Sequence, residues 1–584
     1  MTQLITDATT FADAAITGFV AANERYVRRV DGGVVRSTVI PNGRVAVVVG
    51  GGSGHYPAFA GLVGPGLAAG AVCGNIFASP ASGQVYRVAK AVERGAGVFL
   101  TFGNYAGDVL QFGLAEQRLR GEGFDVRSLA VTDDIASAPA DQVEKRRGIA
   151  GDLTVFKIAG AAAEAGATLD EVERLAQRAN DRTRSLGVAF SGCVLPGAAE
   201  PLFTVPEGVM AIGLGIHGEP GIDEAPIPTA VDLAKLLVGR LLGELPAGVE
   251  AAGGRAVVIL NGLGTVKYDE LFTVFAAVTD ELKQAGVEIV APECGELVTS
   301  LDMSGISLTL FWVDDELEQL WNAPADSPAY RKGAITAARD TAIDTVTDAV
   351  SSAPENATAE QRAAAATALE LLRVVHQTVL DGEEEFGLID AIAGDGDHGI
   401  GMARGATGAL AAGEQVVAEN GGVIRLLAEA GEGWSEHGGG TSGALWGIAL
   451  TGAGTQLAAE SSLDAPAVAR AVRAALDAVQ NLGKAQVGDK TLVDALVPFV
   501  ETLDEAVSKG ADLGAAWTDA ASASTAAAIG TAELRPRLGR ARPLAEKSLG
   551  HPDAGAISLA RIVTSIGAHL ASATTNGTTD KDNS

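Results

Sequence analysis

Asp390, Asp395 and Asp397 stand at i, i+5 and i+7 in "LIDAIAGDGDHGIG" (388–401), three carboxylates on a glycine-rich turn beside His398. If Asp390 ends a helix and the turn doubles back, the three converge. Like charges that close need cations between them. A ligand set made only of oxygens selects Mg2+, which keeps water and takes further oxygens from phosphates. An EF-hand has more ligands and a distal glutamate, so it is a different pattern. An acidic turn that merely caps a helix remains a second reading of these residues alone.

Three further turns bear on that choice. "HGGGTSGALWG" (437–447) carries Thr441 and Ser442 from glycines into a helix, and "GDKTLVDAL" (488–496) opens on Gly488, Asp489 and Lys490. "GRARPLAEKSLGHPDAGAISL" (539–559) supplies Arg540, Arg542 and the turn from His551 to Gly555. Such turns present helix N-termini to anions. Four of them opening four helices would gather at one end of a bundle. Carboxylates, anion cradles and basic residues there describe a Mg-nucleotide site.

A second set of groups lies nearer the N-terminus. "GGGSGHYPAFAG" (50–61) follows an apolar run, and its consecutive glycines let backbone N–H groups approach a ligand where His55 emerges. It is neither a dinucleotide fingerprint nor a P-loop, and a plain turn would explain it equally. "GNYAGDVLQF" (103–112) repeats the arrangement with Asp108, which a helix N-cap would also account for. "LGIHGEPG" (214–221) holds His217 between Gly215 and Gly218 on a stiff turn, a place for reactivity rather than packing. A site acting on a sugar needs a nucleophile or base that works near neutral pH, and histidine supplies it.

The elements that must position these groups differ between the two parts of the chain. Up to about 333, β-branched runs such as "GRVAVVVGGGSGH", "GAGVFLTFGNYAGD" and "GRAVVILNGLG" enter glycine loops, which predicts parallel sheets covered on both faces. "RSLGVAFSGCVLPG" (184–197) marks the passage between two α/β lobes, roughly 1–185 and 186–333. An Ala-, Thr- and Asp-rich connector follows at 334–356. From 357 to 572 the patterns are helical and strand-like runs nearly vanish, and 573–584 has too few apolar residues to fold.

With 584 residues, 47% hydrophobic and 20% charged, the chain fits about two to four folded domains. Its net charge of -30 disfavours nucleic acid or an anionic membrane as partner. Cys73, Cys193 and Cys294 are isolated, the first residues carry no basic region, and no apolar run approaches the ~20 residues of a membrane span. The expectation is a cytoplasmic protein.

Together these motifs resemble the dihydroxyacetone kinase family of the single-chain, ATP-dependent type, over nearly the whole length. A DhaK-like part carries GGGSGH, NYxGD and GIHGEPG, and a DhaL-like part carries DxxxxGDGDHG, GGTSG, GDKT and GHPDAG. The resemblance implies an α/β ketose-binding part of two lobes and a barrel of antiparallel helices holding ATP. It implies that His217 adds to the ketone carbonyl as a hemiaminal, with His55 and Asp108 as acid and base beside the reacting hydroxyl. Gly52, Ser53, Gly54, Tyr56, Phe59 and Gly103 would complete the ketose site. Asp390, Asp395 and Asp397 would hold two Mg2+ ions. His398, Gly399, Ile400, Gly401, Thr441, Ser442, Gly488, Arg540, Asp553, Ala554 and Gly555 would cradle the nucleotide. A homodimer, with one chain's helical part facing the other's sugar site, is a further implication.

The departures from the family pattern cluster at the ketose loops. Tyr56 stands where a glutamate is usual, Phe59 where a histidine is usual, and Gly103 where lysine commonly precedes the NYxGD motif. An altered pocket follows, suited to a four-carbon ketose such as erythrulose rather than dihydroxyacetone. Two other activities fit the same scaffold: a non-catalytic ketose or lipid sensor, and a lyase forming cyclic FMN from FAD.

Overall fold

The computed structural model describes residue 4 and residues 7–335, 357–539 and 541–579. The chain divides into two units, Met1–Asp348 and Ala349–Ser584. That division falls inside the expected connector, of which 336–356 lie outside the described residues.

In the first unit, "AVVVG" and the strand Val98–Gly103 beside it are buried throughout, as strands covered on both faces must be. The first sheet runs β1 (Val27–Val30), β2 (Gly33–Arg36), β4 (Gly70–Ile76), β3 (Ala46–Ser53), β5 (Val98–Gly103) and β6 (Val126–Val131) in spatial order. Strands β4, β3, β5 and β6 are parallel, and β1 and β2 join antiparallel at the edge. The second sheet contains β7 (Thr183–Ser191), β8 (Val209–Ile212), β9 (Asp223–Pro226), β10 (Arg255–Gly262), β11 (Glu288–Ile289), β12 (Glu293–Gly295) and β13 (Ser304–Val313).

This second sheet departs from expectation. Only β11 and β12 run parallel to β10; the path β10–β13–β7–β8–β9 is antiparallel throughout. Continuous apolar runs report two buried faces and are silent on direction. The connections into β8 and β13 carry no crossover helix, which a parallel neighbour requires. Because β7 begins at Thr183, the lobe boundary also lies a few residues before 185.

Five layers result. Helices α2 (Ser82–Val92) and α3 (Ala106–Gly121) cover one face of the first sheet, meeting Ala46, Val48, Val98 and Leu100. Helices α4 (Asp152–Ala165), α5 (Leu169–Asp181) and α8 (Asp315–Asn322) fill the space between the sheets. Helices α6 (Ala230–Leu242) and α7 (Tyr268–Gln284) close the far side of the second sheet. Every residue of α4 from Asp152 to Ala163 is buried, the signature of a helix enclosed on all sides. The two expected lobes therefore share one core, in which Val47 and Phe99 of one sheet and Ile259 and Phe311 of the other belong to the same cluster. A short helix, α1 (Phe11–Ala22), precedes the first strand.

The second unit is all helical: α9 (Ala359–Asp390), α10 (His398–Ala418), α11 (Val423–Gly438), α12 (Gly440–Ala458), α13 (Ala465–Gly483), α14 (Leu492–Ser508), α15 (Leu513–Gly530), the single turn α16 (Ala545–Ser548) and α17 (Ala554–Thr579). Each long helix packs on the next and α17 returns to α9, closing an antiparallel barrel. The Gly- and Ala-rich sequence permits this: a Cβ on Gly408 of α10 would lie 2.5 Å from the Gly433 carbonyl oxygen of α11. Helix α17 extends past the expected end at 572, because once the alanine-rich turns before it are formed each added residue closes one more hydrogen bond. Residues 580–584 lie outside the described residues. The stretch Ala554–Ser572 is long and apolar enough to cross a bilayer by composition, contrary to the expectation of no such run, yet it is a stave of the barrel packed on α9, α14 and α15.

Candidate active site

In the first unit the candidate residues sit at strand ends. Gly52 and Ser53 end β3, and Gly54 turns the chain at a φ of +105°, where a side chain is strained. Ser53 Oγ donates to the Gly74 carbonyl at 2.6 Å, fixing the turn. The turn delivers His55 into the protein, 2% exposed and stacked on Phe77 with ring centroids 4.9 Å apart. Gly103 ends β5, and Asp108 is buried in the first turn of α3. His217 lies in the turn between β8 and β9.

His55 and His217 meet. Their Nε2 atoms are 2.9 Å apart. His55 Nδ1 lies 2.7 Å from the Thr299 carbonyl oxygen, so that nitrogen must carry a hydrogen and donate. His217 Nδ1 lies 3.1 Å from Glu219 Oε1 and donates likewise. Burial alone would raise Glu219, but His217 and then Arg147 hold its carboxyl well below the usual range, so it is an acceptor. With both outer nitrogens committed as donors, the inner contact needs one shared proton, and the pair carries one more proton than two neutral rings. Burial first, and the charge of His217 second, lower His55 to about 3, so the shared proton lies on the His217 side, against Glu219. The Glu219 carboxylate also accepts the His217 backbone N–H at 3.0 Å, and Arg147 approaches it at 3.8 Å while bonding Asp134 at 2.9 Å.

Phe59 stands edge-on to His55 at 6.5 Å and packs on Phe156. Tyr56 does not join this cluster: its ring is 51% exposed against Phe19, and only its backbone carbonyl reaches inward, to Thr299 Oγ1. The missing bulk is supplied by Phe77 and Tyr105, whose rings meet His217 edge-on at 5.2 and 4.6 Å. Glu219, Phe77, Tyr105, Arg147 and Thr299 were not expected here. Glu219, two residues after His217 in the same glycine turn, and Tyr105, the tyrosine of the NYxGD motif, left signals that could have been read.

In the second unit α9 ends at Asp390, and the turn brings Asp390, Asp395 and Asp397 within 4.8 Å of one another through one oxygen each. Loss of water around its carboxyl, and then the charge of Asp390, push Asp397 up to about 7. The residue as a whole is exposed, so the Asp390 charge is the cause that weighs. Crowded carboxylates, oxygen-only donors and exposure on one side fit a hard divalent cation. His398, Gly399, Ile400 and Gly401 form the first turn of α10. His398 donates its backbone N–H to Asp390, and its ring lies 2.9 Å from Ser558 Oγ of α17 and 3.5 Å from Ser442 Oγ of α12. Thr441 opens α12, Gly488 precedes α14 with its N–H on Asp494 Oδ1 at 2.5 Å, and Ala554 and Gly555 open α17. Burial, then Asp494 and Asp390, push Asp553 up to about 7, which ties that turn to the acidic one. The expected turns thus share one end of the barrel. Arg540 lies outside the described residues.

A Dak1 domain model matches residues 17–329 and a DAK2 domain model matches residues 392–568. The chain belongs to the dihydroxyacetone kinase family. Among curated relatives in this family, the L-erythrulose kinase of Pectobacterium atrosepticum is 55% identical over 99% of this chain and 98% of its own length. The D-erythrulose kinase of Mycolicibacterium smegmatis is 52% identical over 96% of this chain and 97% of its own. The crystal structure of the dihydroxyacetone kinase from C. freundii in complex with AMP-PNP and Mg2+ matches with a TM-score of 0.52 at 31% identity, covering 97% of this chain and 99% of that one. These dihydroxyacetone kinase relatives cover both units of the chain.

Proposed function

We propose that this chain is a ketose kinase that transfers the γ-phosphoryl group of ATP to a terminal hydroxyl of erythrulose held covalently on His217. Relatives named for the L and the D form stand nearly level in identity, so the support is for the four-carbon ketose rather than for one enantiomer. The observation that carries the covalent step is the 2.9 Å contact between two imidazoles whose outer nitrogens are already committed.

The protons balance. As the ketone approaches, the shared proton passes to His55, and the freed Nε2 lone pair of His217 forms a C–N bond. The carbonyl π pair moves onto oxygen, which takes the proton from His55. The alkylated His217 ring keeps a positive charge against Glu219. His55 is left with a free Nε2 pair and, with Asp108, is able to accept the proton of the attacking hydroxyl. Tethering a small ketose by its carbonyl supplies orientation that few hydrogen bonds could give. Asp390, Asp395 and Asp397 would hold Mg2+, which would offset charge on the nucleotide phosphates. His398, Thr441, Ser442, Gly488 and the turn at Asp553 would orient those phosphates.

The expected homodimer and cytoplasmic location belong to the same proposal; Cys73, Cys193 and Cys294 are free, which suits a reducing compartment. Intact-protein mass spectrometry after incubation with erythrulose tests the tether: one added ketose per native chain is expected, and none on His217→Ala. An unmodified native chain, together with AMP release from FAD in Mn2+, would instead favour the lyase.

A further inference from the structure

Two buried polar atoms beside the ketose loops have no hydrogen-bond partner among the described residues: the Tyr105 phenol oxygen and Asp152 Oδ1. Such orphans in a folded protein call for a reason, because each forfeits its hydration. A Cβ on Gly103 would lie 3.1 Å from Tyr105 Cε2, so the ring rests on the bare Gly103 backbone. A Cβ on Gly148 would lie 2.6 Å from Gly103 Cα and 2.7 Å from Asp152 Oδ1. Both residues thus pack on the Gly103 backbone, the Tyr105 ring directly and the Asp152 carboxyl through Gly148. The Tyr105 ring is edge-on to His217 at 4.6 Å.

We propose that Tyr105 and Asp152 form a polar subsite that reads the secondary hydroxyl which a four-carbon ketose carries and dihydroxyacetone lacks. The proposal rests on the kinase reading above. A ketose joined to His217 through its carbonyl carbon puts the next carbon one bond from the tether, beside the ring against which Tyr105 packs. Burial pushes the phenol well above its ordinary value, and burial with Asp133 and Asp108 does the same for Asp152. The phenol therefore keeps its proton and is a donor to a neutral hydroxyl, and the raised Asp152 carboxyl is the second polar partner. Gly103 lets the ring sit this close: even a Cβ there would make the Tyr105 ring give by a few tenths of an ångström, so the bare backbone and the phenol act together.

Steady-state ADP release with L-erythrulose, D-erythrulose and dihydroxyacetone, on the full chain with ATP and Mg2+, tests the subsite. Tyr105→Phe is expected to lower kcat/KM about tenfold for one erythrulose enantiomer and to change dihydroxyacetone by no more than about twofold. Equal losses on all three ketoses would overturn the subsite and leave Tyr105 only positioning His217. No loss on any would mean that the orphaned oxygen holds a buried water. Asp152→Ala, which removes the polar group altogether, carries the same comparison should Tyr105→Phe lose its fold. A wild-type chain that turns over none of the three would overturn the kinase reading itself, a result distinct from both.

Discussion

Glu219 accepts from His217 twice, at the ring and at the backbone, and offsets the proton shared with His55. Glu219→Gln keeps an acceptor of the same shape and removes the charge. Loss of a charge-assisted bond of this kind predicts kcat for ketose phosphorylation down by about 10- to 100-fold. Initial-rate ADP release reads it, and a loss under threefold would mean the charge is dispensable. Asp395→Asn should raise the Mg2+ concentration for half-maximal rate at least about tenfold, since one of three converging carboxylates is gone. His217, His55 and the three aspartates were legible in the sequence because each sits in a glycine turn, where a reactive side chain has no packing excuse. Thr299 and Arg147 were not, because tertiary contacts between distant segments assign their roles. Tyr56 misled in the other direction: its neighbours fold inward while its own ring turns to Phe19.

Helix and strand termini set the geometry of both sites. Gly399 in the first turn of α10 has no room for a methyl group, which would collide with the Glu383 carbonyl oxygen of α9. Gly399→Ala is therefore expected to part α9 from α10, costing about 1–3 kcal/mol and several degrees of melting temperature. It should also weaken the Mg2+ response, because Asp390 ends one helix and Asp397 precedes the other. Calorimetry with and without Mg2+ separates the two effects. At this scale the helical patterns of 357–572 and the buried strands were readable from periodicity. Strand direction in the second sheet was not, since burial on both faces looks the same in parallel and antiparallel company. Nor was α4's enclosure between the sheets readable as a single core shared by two lobes.

Across the molecule, the five-layered unit and the helical barrel carry different titrating groups and should answer pH differently. The folded chain refuses a further proton at His55 down to about 3, whereas the unfolded chain accepts one at 6.5. The stability from keeping this ring neutral is full above pH 6.5 and is lost as pH falls toward 3. Urea denaturation should show wild type losing about 2 kcal/mol more than His55→Asn between pH 7 and pH 5. Identical losses would mean that His55 is not held neutral. The proposed reaction needs the His217 imidazole to anchor the ketose that accepts the phosphoryl group. The most direct test compares ADP release from ATP and Mg2+ by wild type and His217→Ala with both erythrulose enantiomers. Wild type should turn over at least one of them and His217→Ala should fall about 1000-fold; a variant within tenfold of wild type would contradict the account.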